Sequence, residues 1–572
     1  MADTINTKSP WLKNYLDGVP AEINLGDYTS LLEIVDESFN QYPDHLALEF
    51  MGKSMTYRQL DILSKNFAAY LQTLKLDSGA RVAIMFPNVP QYLIAMLGTL
   101  RAGYIVVNVN PLYTSRELEH QLRDSGASVL VILENFAHVY QSIADQSILK
   151  EVIVGSLGET LGAKGLIVNV VVRHIKKLVP KWNFPHIRFN AALKIGRQHP
   201  YVKPELTLDD VAFLQYTGGT TGVSKGAVLL HKNILANIIQ IEHWLDPVFQ
   251  HRHLNQKVSE QAKSEQKQLV FLCALPMTHI FALTACALLG MRKGGLLLLV
   301  PNPRDITGFI QFLMKHPNIN IFPGVNTLFH ALIHRPEFSK VKLPHLLVTI
   351  GGGMAVQKKT ADLWQKLMGV PIAQGYGLSE TSPVVCVNTP LITQFTGSIG
   401  MPVPSTDVII LDEEGIEVPF GETGEICIKG PQVMAGYWNR PDETQQSMTA
   451  DGYFKSGDIG TMSAQGEVHI VDRKKDMIIV AGFKVFPNEI EEVIASMPGV
   501  RECAVIGSPH RKLGEIVKVF IVKDDPDLTQ AQVMLYCKQQ MTSYKRPRKV
   551  AFVDEMPKSN VGKILRRYLR DL

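Results

Sequence analysis

The sequence predicts an α/β protein: a large N-terminal domain of parallel-sheet subdomains with a small antiparallel β subdomain, followed by a small α+β domain. Three observations carry this. Between residues 81 and 133, the apolar runs "RVAIMF", "IVVNV" and "SVLVIL" alternate with "QYLIAMLGTLRAG" and "TSRELEHQLRDSG", which place apolar residues at helical spacing. The resulting βαβαβ order requires a parallel sheet covered by helices. From Gly397 to Val471 the pattern changes to short alternating strands, "DVIILD", "GEICIKG" and "GEVHIV", set between Gly and Pro turns, the signature of antiparallel pairing. Finally, 572 residues are too many for one hydrophobic core. After Asp472 a segment of strand, helix ("PNEIEEVIASMPG"), strands and basic tail follows. The domains are therefore drawn at 1–472 and 473–572.

The individual elements have local reasons. Gly103 and Gly126 close the first two helices, and Thr114 with Glu117 forms a capping box ahead of the second. Further buried strands are expected at Gly294–Pro301, Asn320–Gly324 and His345–Gly351. Val211 to Tyr216 reads as a strand, and "HKNILANIIQIEHWL" as a helix. Between them lies "YTGGTTGVSKG", Tyr216 to Gly226, which packs four glycines, three threonines, one serine and one lysine into a short loop. Glycines let backbone N–H groups approach an oxyanion, and hydroxyls with an ammonium add donors and charge. A strand–loop–helix junction is a common place for such a cradle. Val223 and Ser224 separate Gly222 from Lys225, so this is a phosphate loop other than the Walker A type.

Composition excludes several function classes. Hydrophobic residues make up 46% and charged residues 20%, with a net charge of +4; this balance gives no reason to expect nucleic acid as a partner. Six cysteines lie scattered with no CxxC pair, which favours reduced core thiols in a cytoplasmic protein over a disulfide frame or zinc site. The N-terminus lacks a secretory h-region, and no apolar run reaches the length of a membrane span. One stretch is uneven: Thr160 to Pro204 holds nine Lys/Arg and no Asp or Glu. Its front end, "GLIVNVVVRHIKKLVPKW", reads either as a buried strand and solvated loop or as a membrane-surface patch. In the second reading Arg173, Lys176, Lys177 and Lys181 face lipid, with Leu166, Ile167, Val168 or Trp182 as anchors.

Three more clusters carry chemistry. In "AQGYGLSETS", Tyr376 between Gly375 and Gly377 offers an aromatic face to a nucleobase. Glu380 supplies one carboxylate, and one carboxylate with substrate phosphates is how Mg²⁺ is usually held. In "DGYFKSGDIG…VDRKKDMIIVAGFKVFPNEIE", Asp458 suits the hydroxyls of a ribose, and Arg473 could brace the sugar or a phosphate. In "PKSNVGKILRR", Lys563 follows Gly562 near the C-terminus. Each cluster alone has a plain structural explanation as a turn, a core aromatic or a solvated charge.

Together, in this order and spacing, they resemble the acyl-adenylate-forming (ANL) superfamily from about Tyr28 to the C-terminus. "DGYFKSGDIG" with "VDRKKDMIIVAGFKVFPNEIEEV" is similar to the signature of fatty acyl-CoA synthetases, specifically the bacterial long-chain-fatty-acid–CoA ligases. The resemblance implies AMP-forming activation of a fatty acid, with ATP and CoA as co-substrates and Mg²⁺ as cofactor, serving fatty acid degradation. The loop Tyr216, Thr217, Gly218, Gly219, Thr220, Thr221, Gly222 and Lys225 would hold the ATP phosphates, with Thr217 and Glu380 on the metal. Gly375, Tyr376, Gly377, Asp458 and Arg473 would hold adenosine. Lys563 would bridge the carboxylate and the α-phosphate, so the catalytic set is Lys563, Thr217 and Glu380. Lys475 matches the hinge about which the small domain alternates between half-reactions. Gly482, Lys484 and Arg501 are CoA candidates. His279 in "LPMTHIFAL" matches a histidine lining the acyl pocket, with Leu283, Gly324 and Gly351 as further wall. Leu283 stands where one described synthetase carries a gating indole, so Phe281 or Trp244 is the candidate gate here. A reversible membrane-surface association on the inner face of the cytoplasmic membrane and a homodimer are compatible with this reading. Rival readings are an adenylating module serving a carrier protein, an enzyme for medium-chain or aromatic acids, and an ATP-binding regulator with a decayed site. No carrier domain is evident in the sequence, and Phe281 to Ala287 is mostly apolar and holds no acid, where a module for amino acids needs one.

Overall fold

A computed structural model describes residues 9–146, 148–217, 224–251, 268–559 and 562–572. Two large mixed sheets dominate the N-terminal part. The eight-stranded sheet is built around the parallel strands Arg81–Met85, Ile105–Asn108 and Ala127–Leu133, with the helices Pro90–Arg101 and Ser115–Ser125 as crossovers. The capping box is present: the Thr114 hydroxyl accepts from the Glu117 N–H, and the Glu117 carboxylate accepts from the Thr114 N–H. The nine-stranded sheet carries parallel strands Val270–Cys273, Leu296–Leu299, Ile321–Gly324, Val348–Gly351 and Ile372–Gly377. One continuous hydrophobic core runs through both sheets and includes Trp11, Phe67, Phe189, Phe271 and Trp364.

A four-stranded antiparallel sheet of Asp407–Leu411, Gly424–Lys429, Phe454–Met462 and Val468–Arg473 follows. Its last strand ends at Arg473, and the small C-terminal unit opens with the strand Ile478–Val480. That unit packs the helix Pro487–Ser496 against the long hairpin Val500–His510 and Gly514–Lys523, over its own core of Ile490, Ile494, Val505 and Val519. All six cysteines are buried and free.

Two expectations need correction. The Gly-rich loop does not lead directly into the helix: Lys225–Leu230 is a strand that returns antiparallel to Val211–Thr217, and the helix expected over "HKNILANIIQIEHWL" follows it from His231. The run Lys225 to Leu230 is short and apolar beyond its lysine, so periodicity alone could not separate it from a helix start. The segment read either as a buried strand or as a membrane-surface patch is a helix, Ala163–Val170, continued to Ile175 as one π turn, so the strand reading falls. Among the described residues, no helix is long and apolar enough to cross a membrane.

Candidate active site

The carboxyl ends of several parallel strands open on one cleft of about 1970 Å³, lined by Asn108, Gln215, Tyr216, Thr217, Ile350, Gly352 and Tyr376 among others. Ligands of open α/β sheets bind at this end of the strands. The volume exceeds the ~300–1,000 Å³ of a single small-ligand pocket, as a site for a nucleotide and a second substrate requires.

Register assembles one wall. Asp458 lies directly across from Arg473 in the antiparallel pair, and the Arg473 Nε reaches the Asp458 Oδ1 at 3.2 Å. The Tyr376 hydroxyl donates to the other oxygen at 2.8 Å. Tyr376 ends a strand between Gly375 and Gly377; a Cβ at Gly377 would fall 1.9 Å from the Pro383 carbonyl oxygen, so only glycine lets the chain turn there. That turn delivers Glu380, which is buried and accepts from the Tyr437 hydroxyl at 2.8 Å. Burial raises the Glu380 carboxyl above its ordinary value, against the bond from Tyr437.

Opposite, Lys225 opens its strand with its ammonium 5.3 Å from the Tyr437 ring centre and paired with Glu443. The Tyr216 hydroxyl donates to Asp124 at 2.7 Å, so this side chain supports the wall from behind. Gly218, Gly219, Thr220, Thr221 and Gly222 lie outside the described residues. Among the described residues, no three His, Cys, Asp or Glu side chains cluster to hold a metal by themselves. Thr217 and Glu380 both line the cleft. A hydroxyl and one carboxylate are hard oxygen donors that fit Mg²⁺ once substrate phosphates complete the shell.

Lys563 reaches the same cleft from the small unit. Its loop is pinned by the Ser559 N–H donating to the Lys563 carbonyl at 2.8 Å and by Arg304 of the large unit donating to the Ser559 carbonyl at 3.2 Å. Gly562 has φ +80° and sits against Thr327, whose Oγ1 would lie 2.4 Å from an added Cβ. Behind the loop, Arg566 binds Glu491 at 2.8 Å and Asp476 at 3.3 Å. Burial, and then the Arg473 guanidinium, pull the Lys563 ammonium down to about 7. His279 caps the short helix Ile280–Ala282, its Nδ1 accepting from the Phe281 N–H at 3.3 Å. Burial, and then Lys563, lower His279 to about 4, so its ring is neutral at pH 7.

Beyond His279 the cleft turns apolar, along Ile241, Trp244, Leu245, Ile280, Phe281, Val384 and Val387. Both candidate gates, Trp244 and Phe281, are on this wall. Leu283 is wholly buried in packing. Gly324 and Gly351 also serve packing, since a Cβ would meet Phe329 at 2.5 Å and Val356 at 2.6 Å respectively; Gly352 and Gly353 are the cleft-lining neighbours. Lys475 lines the cleft edge. The CoA candidates lie elsewhere in this arrangement: Lys484 pairs with Glu413 at 2.8 Å, Arg501 donates to the Asp554 carbonyl at 3.3 Å, and Gly482 is exposed.

Sequence reasoning missed a polar relay. The Tyr92 hydroxyl donates to Asn108 at 2.8 Å, Asn108 donates to Gln215 at 3.0 Å, and Gln215 donates to the Thr278 carbonyl at 2.9 Å, which ties the turn before His279 to the strand that ends at Thr217. Asn108 and Gln215 near the carboxyl ends of apolar strands were the available signal. Tyr437, Arg440 and Glu443 were also missed, because nothing in "AGYWNRPDET" marks it as part of a cleft.

The chain is similar to known proteins over nearly its whole length. The model of the AMP-binding enzyme family matches residues 35–438, and that of the AMP-binding enzyme C-terminal domain matches residues 489–563. The chain is 50% identical over 567 residues to a long-chain-fatty-acid–CoA ligase of Escherichia coli O6:H1, covering 99% of this chain and 98% of that one. It is 35% identical to the Bacillus subtilis protein of the same name, covering 99% of this chain and 98% of that one. Among solved structures, ATP-bound MatB of Rhodopseudomonas palustris superposes with a TM-score of 0.77 at 27% identity, covering 95% of this chain and 98% of that one. The chain belongs to the AMP-binding enzyme family, within the acyl-adenylate-forming superfamily whose motifs it carries in order.

Proposed function

We propose that the chain is a long-chain-fatty-acid–CoA ligase. One observation carries the reading: a single cleft is lined both by the polar Thr217, Lys225, Glu380, Asp458 and Arg473 and by the apolar Trp244, Leu245, Phe281 and Val384, with the Lys563 ammonium near His279. The fatty acid carboxylate attacks the α-phosphorus of ATP, the bond to the β-phosphate oxygen breaks, and acyl-AMP and pyrophosphate result. The CoA thiolate then attacks the acyl carbon, the mixed anhydride opens, and AMP leaves with the electron pair. In the first step two anions must approach in line. A cation between them offsets their repulsion and the charge that develops in transfer, and Lys563 is that cation. Tyr376 faces the base; Asp458, held by Tyr376 and Arg473, takes the ribose; Lys225 takes the distal phosphates. Mg²⁺ on Thr217 and Glu380 would neutralise phosphate charge. The neutral His279 ring adds no charge where the acyl chain enters. Pantetheine needs the space that Lys563 fills, so the small unit turns about Lys475 for the second step, bringing Gly482 and Lys484 toward CoA.

Thioester formation from ATP, CoA and a ladder of acids from acetate to oleate tests this. Long chains should be preferred; a maximum at acetate or an aromatic acid would overturn the substrate assignment.

We also propose that the enzyme works while resting on an anionic membrane surface. The helix from Ala163 exposes Leu166 (72%), Ile167 (68%) and Ile175 (70%), while Val168 and Val172 turn inward. Exposed Lys176, Lys177 and Lys181 follow it. The members of the patch differ from those expected. Arg173 is committed to buried Glu134 through bonds of 2.9 and 2.8 Å, and Trp182 packs on Phe184 beneath the Arg188 guanidinium. Each lysine near an anionic leaflet contributes about 1 kcal/mol, so reversing three should weaken vesicle binding by roughly two orders of magnitude or more. Lys176→Glu, Lys177→Glu and Lys181→Glu together should abolish co-sedimentation with phosphatidylglycerol vesicles at low salt and spare turnover of detergent-solubilised fatty acid. Unchanged sedimentation would make the segment an ordinary solvated helix.

A further inference from the structure

The strand Gly436–Tyr437 pairs antiparallel with the strand that Lys225 opens, placing Tyr437 opposite Ala227. The turn and the helix Pro441–Gln446 that follow are thereby delivered beside the lysine. They are fastened there, since the Tyr437 N–H donates to the Thr444 hydroxyl at 2.8 Å and that hydroxyl donates to the Arg440 carbonyl at 2.8 Å. Glu443, next to Thr444, forms the ion pair with Lys225. Arg440 reaches Asp124 at 3.2 Å and Glu443 at 3.7 Å. Lys225, Arg440 and Glu443 all line the cleft.

A carboxylate therefore sits on the ammonium that the adenylating reaction needs for the distal phosphates of ATP. A phosphate oxygen and Glu443 are both anions and repel each other at close range, so they compete for Lys225. The Glu443 side chain keeps 37% of its exposure, and it can rotate into solvent without leaving a charge buried. Asp124 offers no such exchange, because its carboxylate also accepts from the Tyr216 hydroxyl at 2.7 Å. Glu380 differs again: it accepts from Tyr437 and stands on the metal side of the site.

We propose that Glu443 is an exchangeable stand-in for phosphate, which holds Lys225 between turnovers and, by returning to it, helps expel pyrophosphate. This rests on the adenylating reading above. ATP displaces the carboxylate with the help of its adenosine contacts. Once the bond to the α-phosphate is broken, pyrophosphate loses those contacts and faces the same competitor alone.

The test is titration of inorganic pyrophosphate with Mg²⁺ into the full-length chain, together with pyrophosphate inhibition of acyl-CoA formation. Glu443→Gln keeps the size and loses the charge. Its dissociation and inhibition constants for pyrophosphate should fall by roughly two- to fivefold, the range a half-exposed ion pair supports, and KM for ATP should fall with them. Glu443→Asp should restore most of the competition. A structural role alone would lower Tm or kcat without tightening pyrophosphate. Unchanged or weaker pyrophosphate binding in both Glu443→Gln and Glu443→Ala overturns the proposal. A wild-type chain that binds neither ATP nor pyrophosphate removes the reading beneath it, and the proposal with it.

Discussion

Lys563→Ala should lower acyl-AMP formation by about 10²–10³, the cost of removing one charge-stabilising donor, while thioester formation from supplied acyl-AMP and CoA stays near wild type. The asymmetry follows from where the ammonium is held. Arg304, Gly562 against Thr327, and the Ser559–Lys563 backbone bond dock its loop on the large unit, with Arg566 bracing it from behind. In the proposed mechanism that docking would serve the first half-reaction and occupy the space the second one needs. Equal losses in both half-reactions would argue against two arrangements of the small unit. A second measurement uses the lowered pKa. Below pH 7 the free enzyme carries Lys563 as a cation; above it the proton is lost from a group held near 7. Because kcat/KM reports the ionisation of the free enzyme, kcat/KM for ATP in acyl-AMP formation should fall as pH rises through about 7. Lys563→Arg should flatten that limb, since a guanidinium does not deprotonate in this range.

Fold and site were legible to different depths. The βαβαβ order from Arg81 to Leu133 showed in short apolar runs and in caps such as Thr114–Glu117, because local periodicity and local hydrogen bonds decide those elements. The pairing of Asp458 with Arg473 could not be read, although both were named as site residues. It depends on the register of two strands, and register is set by which face of each strand is buried. The same holds for Glu443, which is brought to Lys225 by the pairing of the two-residue strand Gly436–Tyr437. Arg173 was misjudged for a related reason. Its partner Glu134 lies beyond the acid-free stretch from Thr160 to Pro204, and a count of charges along the chain cannot see across the fold. Gly324 and Gly351 were assigned to a ligand although their role is close packing; a glycine motif does not say which neighbour approaches it.

Glu380→Ala should cost acyl-AMP formation and pyrophosphate release about 10²–10³ together, and should spare the thioester step when acyl-AMP is supplied. The carboxylate is buried at the end of the Tyr376 turn, and burial raises its pKa from its ordinary value. The fold thus tolerates a charge that its surroundings disfavour. Taking a charged group out of water is costly unless a partner compensates, and the Tyr437 hydroxyl at 2.8 Å is a neutral partner. In the proposed mechanism a divalent cation bound with the phosphates would supply that compensation. Two variants separate the charge from the hydrogen bond. Glu380→Gln keeps an acceptor for Tyr437 and loses the charge, so it should behave like Glu380→Ala and need more Mg²⁺ for half-maximal rate. Tyr437→Phe keeps the charge and loses one bond to it, which contributes roughly 1.5–3 kcal/mol, so its loss should be near tenfold to a hundredfold, with little change in Mg²⁺ dependence. If Glu380→Gln instead retains wild-type pyrophosphate release and Mg²⁺ dependence, the carboxylate only shapes the turn, and the metal must be held by other oxygens of the cleft.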